Sequence, residues 1–208
     1  MRKIFICSLI ILLMLTSCGN SKTVYQDDYD AEAAVAYAHK YAEVRNMEYA
    51  EFNVNCTNFI SQCFVAGGLE MDEGPAPDKK TRIKYGDSTS KWYFASESFF
   101  PERPPNYSVG LPFVNTKAFI EYWQEERGFE IKKYPNSFEG RDKLIEEARL
   151  GDVFLFYDYE GDISHLGLIT KFENNDALFS SNTSNRLDFS VCNINEEIYP
   201  ELGIIYVN

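Results

Sequence analysis

The period of the apolar residues changes once along this chain, and that change limits the fold more than any other feature. Up to Arg149 the apolar side chains recur at helical spacing. From Asp152 onward they gather into short β-branched or aromatic runs. Residues 30–46 place Ala34, Val35, Ala38, Tyr41 and Ala42 on one stripe with charged residues between them, the pattern of an amphipathic helix. Residues 56–66 carry a second stripe, Phe59, Ile60, Cys63 and Phe64, with Asn55 as N-cap and Gly67-Gly68 as the stop. Residues 115–127, closed by Gly128, and residues 138–149 are two further helices. Strands are expected at 152–157, 165–172, 177–181 and 203–207, with turns at 159–162 and 173–176. Helices first and strands after imply an α+β domain, its N-terminal helices packed on a C-terminal antiparallel sheet. Residues 69–112, rich in Gly, Pro, Asp and Ser, read as long irregular loops with short ordered pieces.

The chain has 208 residues, enough for one domain with a full core. Its formal net charge is −12. A surface so acidic gains nothing from counterion release, so nucleic acid is excluded as an expected partner. Arg2 and Lys3 precede an apolar run from Ile4 to Leu15, of signal-peptide length and short for a bilayer span. The run ends in Leu15-Thr16-Ser17-Cys18-Gly19, which resembles the bacterial lipobox. That resemblance implies cleavage before Cys18 and lipidation of its sulfur. The expected organisation is a signal peptide at 1–17, a lipidated tether at 18–29 and the domain at 30–208. The chain is then a membrane-anchored lipoprotein of the cell envelope, exposed outside the cytoplasm. An ordinary signal peptide with an incidental cysteine is the plainer alternative.

Of five cysteines, Cys56, Cys63 and Cys192 would remain in the domain, an odd number that leaves a free thiol. Cys56 and Cys63 on one helix stand roughly 10 Å apart, beyond disulfide reach. A Cys63–Cys192 bridge and two buried core thiols both remain open.

Cys56 is the first candidate for chemistry. In the first turn of a helix its sulfur meets unpaired N–H groups and the positive end of the macrodipole, which favours thiolate. The same N–H groups suit an oxyanion. The alternative is a small core residue facing the sheet with Phe59, Ile60 and Cys63. Of two histidines, His39 lies within the first helix, most simply as a partly exposed helix residue. His165 begins a strand directly after a loop, where a fold can hold an imidazole at a cleft edge; a hydrogen-bonded strand histidine is the alternative. Asn182 ends the next strand, and a hairpin through 173–176 would bring it beside His165 to fix the tautomer. Asn185 is a weaker candidate for that task. No cofactor is implied, and neither the histidines nor the cysteines have zinc-ligand spacing. No pair of carboxylates stands out for glycosidase chemistry.

The block Asn55-Cys56-Thr57-Asn58-Phe59-Ile60-Ser61-Gln62-Cys63, followed by Gly67-Gly68, resembles the signature of the bacterial putative amidase domain, grouped with papain-like cell-wall hydrolases of the NlpC type. The likeness continues through Ala34-Val35-Ala36-Tyr37-Ala38, Tyr41, Asn46 and Tyr49. It includes Trp92-Tyr93, Gly151-Asp152-Val153, Ser164-His165 and Ile169-Thr170. It implies a papain-like cysteine hydrolase fold, Cys56 as nucleophile and His165 as base, acting on amide bonds of peptidoglycan or peptides through an acyl-enzyme. The family's aspartate before the cysteine is Asn55 here, and its histidine before threonine is Asn182, so a Cys-His-Asn triad is expected. Tyr49 and Gln62 are candidate oxyanion donors, and Trp92 and Tyr93 candidate cleft walls. An acyltransferase of the same fold and an inactive peptide- or partner-binding lipoprotein are the competing readings.

Overall fold

The computed structural model describes residues 29–207. The signal segment, Cys18 and almost all of the expected tether lie outside the described residues. The architecture is α+β, as the change of period implies. Helix α1 (Ala31–Tyr41) begins at Asp30, whose carboxylate accepts from the Ala33 N–H. Helix α2 (Cys56–Ala66) has the bounds that its apolar stripe suggests. Its end is a Schellman turn: Gly68, at φ 89°, donates to the Val65 carbonyl, and the Leu69 N–H reaches Phe64. Helix α1 is shorter than expected and stops at Tyr41, since residues 43–46 turn away from the core.

Residues 69–112 hold more order than a run of loops. Strands β1 (Ile83–Tyr85), β2 (Phe94–Glu97) and β3 (Asn106–Val109) make a small sheet in the order β1-β3-β2, with β1 and β3 parallel. At three or four residues each, they are too short to show alternation. The expected helix at 115–127 is present from Thr116 to Glu126 but is not α-helical throughout. Helix α3 (Leu111–Val114) precedes α4 (Thr116–Glu121), and a π-helical turn at Tyr122–Glu126 follows.

The main sheet has six strands, β4 (Glu130–Pro135), β5 (Val153–Tyr157), β6 (Ile163–Glu173), β7 (Asp176–Ser181), β8 (Arg186–Ser190) and β9 (Glu201–Tyr206). Their order is β4-β9-β5-β6-β7-β8, antiparallel throughout. Strands β4 and β8 were not expected: both lie at sheet edges and carry Lys, Arg and Asp, which blurs the alternation. The β6–β7 hairpin turns at Asn174 and Asn175, both at positive φ (52° and 61°), as a two-residue loop requires.

Both faces of this sheet are buried. On one, α1, α2 and α4 cover Val153, Leu155, Leu166 and Leu168, and the cluster includes Cys56, Phe59, Ile60, Cys63 and Phe64. On the other, α5 (Phe138–Glu147) brings Leu144 onto Phe154, Phe156, Phe179 and Ile204. The strands that carry the site are therefore sandwiched between helices. No helix among the described residues is long and apolar enough to cross a membrane.

Candidate functional site

Helix α2 presents two faces, and its first turn is the centre of the site. Cys56, at the first helical position, is fully buried and turns into the helical cluster with Phe59, Ile60 and Cys63. Its sulfur lies 3.9 Å from the Thr57 hydroxyl. The Thr57 hydroxyl in turn meets that of Thr116 in the first turn of α4, at 2.9 Å. The backbone N–H groups of Cys56, Thr57 and Asn58 have no hydrogen-bond acceptor among the described residues, as expected for the first turn of a helix.

The opposite face of α2 borders a cavity of ≈ 280 Å³ through Asn55, Asn58 and Gln62, with Tyr49, Arg82 and Asn182 among its other walls. An amide network closes its floor. Asn55 was expected to cap α2 with its side chain, but its Oδ1 accepts instead from the Phe52 N–H and from Asn58 Nδ2. Its Nδ2 donates to Asn182 Oδ1 at 2.8 Å, and its own N–H donates to the Thr183 hydroxyl at 2.8 Å. Asn182 Nδ2 completes the network by donating to the carbonyls of Tyr41 and Ala42 at the end of α1. Thr183 holds φ at 79°, a strained setting for a β-branched residue.

His165 is placed differently. It lies across from Phe156 in the β5–β6 ladder, and residues directly opposite in an antiparallel pair share a face. Phe154 and Phe156 belong to the α5-side cluster, whereas Leu155 and Leu166 belong to the α2-side cluster. The imidazole accordingly packs against the Phe156 ring, centroids 5.1 Å apart, on the face away from Cys56. Gly167, two residues on, has no room for a side chain because the Phe179 ring lies 2.5 Å from where a Cβ would sit. His165 Nε2 is buried with no hydrogen-bond partner. Burial, with a smaller contribution from the Arg186 cation, pushes its pKa down to about 4, so the ring is neutral at pH 7. No hydrogen bond joins His165 to Cys56 or to Asn182 among the described residues.

The structure thus brings Asn182 to the residue before Cys56, and not to His165 as the hairpin argument expected. Asn182 directly follows β7, and the register Leu168↔Ser180 puts it level with Leu166, on the face that α1 and α2 cover, one residue short of His165. Asn185 accepts from Arg45 Nη1 and lies outside this network. Gln62 accepts from the Tyr37 hydroxyl at 2.7 Å, and Tyr49 stacks among Phe94 and Phe113. Trp92 is not a cleft wall: it is fully buried, donates from Nε1 to Ser61 Oγ and packs on Phe113 and Trp123. Tyr93 is buried as well and fills the space left by Gly74, Gly86 and Gly110. His39 pairs with Asp188 at 2.8 Å, which ties α1 to β8. Cys63 is buried and Cys192 exposed, both as free thiols on elements separated by the sheet, so Cys192 is not a core thiol. Burial raises the Cys63 pKa well above the ordinary thiol value, which makes it inert. No group of three or more possible metal ligands occurs among the described residues.

Reasoning from sequence missed Thr183 and Arg186. The signal for Thr183 was its place directly after Asn182, and for Arg186 its standing as the only Lys or Arg after Lys171.

Comparison with known proteins adds to this geometry. A family model described as "Putative amidase domain" matches residues 28–199. The chain is 33% identical over 134 residues to "Uncharacterized protein YhbB" of Bacillus subtilis (strain 168), covering 64% of this chain and 34% of that protein. It is 25% identical over 170 residues to "Uncharacterized protein YjcM" of the same organism, covering 77% of this chain and 32% of that protein. The chain therefore spans about a third of the length of these relatives. No solved structure matches it.

Proposed function

Because the chain belongs to the putative amidase domain family, we propose that it hydrolyses amide bonds with Cys56 as nucleophile and His165 as base, on a papain-like scaffold. The observation that carries the proposal is the position of Cys56 at the head of α2, beside three N–H groups with no acceptor among the described residues and one residue from a polar cavity. A neutral imidazole takes the thiol proton, and the thiolate adds to the substrate carbonyl. The α2 N–H groups hold the oxyanion as the tetrahedral intermediate forms. The imidazolium then protonates the departing amine, and water attacks the thioester, losing its proton to His165 and returning the free thiol. Amide bonds in peptidoglycan or peptides are the substrate class, and an N-terminal lipid anchor at Cys18 would hold the domain in the cell envelope.

This chemistry requires His165 to reach the α2 side of the sheet, and β6 offers a route. The β5–β6 ladder runs in one register from Val153↔Leu168 to Phe156↔His165, then shifts so that Tyr157 pairs with Ile163. Ser164 is thus an extra residue, a β-bulge directly beside the histidine. Moving that bulge past His165, so that the histidine pairs with Leu155 in place of Phe156, turns its side chain to the opposite face, because side chains alternate with a period of two. The arrangement described here is the resting one.

The separation of Cys56 from His165 also favours a second reading, an inactive module that binds envelope peptides in the α2 cavity. A thiol-directed activity probe distinguishes the two. Hydrolysis expects labelling of Cys56 at neutral pH that is lost in Cys56→Ser. It also expects turnover on muropeptides to fall at least about 100-fold in His165→Ala, with His39→Ala near wild type. Labelling confined to exposed Cys192, with equal effects of the two histidine variants, would sink the enzyme.

A further inference from the structure

The acidic chain concentrates positive charge in one place. Residues 79–103 hold six cations (Lys79, Lys80, Arg82, Lys84, Lys91 and Arg103) against three carboxylates (Asp87, Glu97 and Glu102), in a protein whose net charge is −12. Lys79, Lys80, Arg82 and Arg103 converge on a second cavity of ≈ 300 Å³, with Asn106 beside them and no acidic residue in its wall. None of the four has an ion-pair partner among the described residues. The nearest carboxylate in sequence, Asp78, is engaged with its own turn. It accepts from the backbone N–H groups of Lys80 and Thr81, and those bonds hold it below the usual carboxylate range. Aromatic rings hold three of the cations in place: Arg82 lies over Tyr107, Lys79 over Phe99 and Arg103 over Phe100. Concentrated like charge left unpaired opposes folding, and an anionic ligand would relieve that repulsion.

This cavity adjoins the one at the head of α2, because Arg82 and Pro104 border both. A ligand lying in the first cavity beside Asn55 and Asn58 would leave it past Arg82 into the cationic pocket.

We infer that the cationic cavity is a subsite for a carboxylate-bearing arm of the amide substrate, held away from the scissile bond by Lys79, Lys80, Arg82 and Arg103. The inference rests on the hydrolase reading for its substrate, but binding at the subsite needs no chemistry. Guanidinium groups take carboxylates with paired hydrogen bonds, and the lysines add unspecific attraction that salt screens.

The test uses the full chain carrying Cys56→Ser, so that the probe is bound and not consumed. Its probe is an acetylated tri-glutamate amide peptide, compared with the tri-glutamine peptide and with phosphatidylglycerol vesicles. The expected result is acidic-peptide binding that is weakened about tenfold or more by Lys79→Glu with Arg103→Glu, and lost at about 0.5 M salt. In a wild-type background the same charge reversal should leave thiol labelling of Cys56 unchanged, which controls for folding. Equal binding of the two peptides, no effect of charge reversal, or retention on vesicles alone would each overturn the subsite. If the acidic peptide binds as expected while the wild-type chain cleaves no amide, the hydrolase reading fails and the subsite stands. Cleavage of acidic and neutral amides at equal rates removes the subsite and leaves the hydrolase.

Discussion

Asn182 and Thr183 act on the head of α2 from the far end of β7. Asn182 joins α1 to Asn55, and Thr183 receives the Asn55 N–H while holding a left-handed backbone. Asn182→Ala strands buried amide and carbonyl groups and should cost about 1–3 kcal/mol in urea unfolding. If Asn182 instead oriented the imidazole, the same variant would shift the His165 ring resonances in NMR spectra. The network described here expects them unmoved in the resting protein. Thr183→Ser keeps the acceptor and should stay near wild type, whereas Thr183→Val should lose about 1–2 kcal/mol. These partners were invisible to reasoning from sequence. Spacing put Asn182 near the start of β6, but a single step in register decides which face of the sheet it joins.

At the scale of elements, β6 carries the conformational burden. Its bulge at Ser164 lies between a face lined by Leu166 and Leu168 and a face lined by Phe156 and Phe179. Deleting Ser164 regularises the ladder with His165 fixed beside Phe156. Turnover should then fall by more than about 100-fold while far-UV circular dichroism keeps the native strand signal. Full activity in the deletion would show that no shift of β6 is needed. The apolar runs made β5, β6, β7 and β9 legible, as the stripe of α2 and its Gly-Gly stop did for that helix. What could not be read was the small sheet β1-β3-β2, whose strands have three or four residues and no alternation. The π-turn at Tyr122–Glu126 was hidden too, because Tyr122 and Trp123 suit an unbroken helix equally well. Edge strands β4 and β8 escaped for a related reason, since charged residues on an exposed edge mask the pattern.

For the molecule as a whole, the buried imidazole couples stability to pH. The His165 pKa is about 4 in the fold against about 6.5 in an unfolded chain, so the unfolded state binds more protons between those values. The contribution is fully present above about pH 6.5 and is lost as pH falls toward 4, on the order of 3 kcal/mol. Chemical denaturation of wild type and His165→Gln across that window isolates it: the difference between the two should shrink steadily as the solution is acidified. A difference that is flat with pH would mean that the ring already titrates normally in the native state.

The six-stranded sheet, covered by helices on both sides, also divides the protein chemically. A reagent that acylates imidazole and one that alkylates thiols would enter by different doors, one past α5 and the other past α1 and α2. While the strand keeps its register, neither modification alters the rate of the other. Mutual protection would arise only in molecules whose first strand residues have already crossed over, so the two rates measured together count that population without any substrate being present.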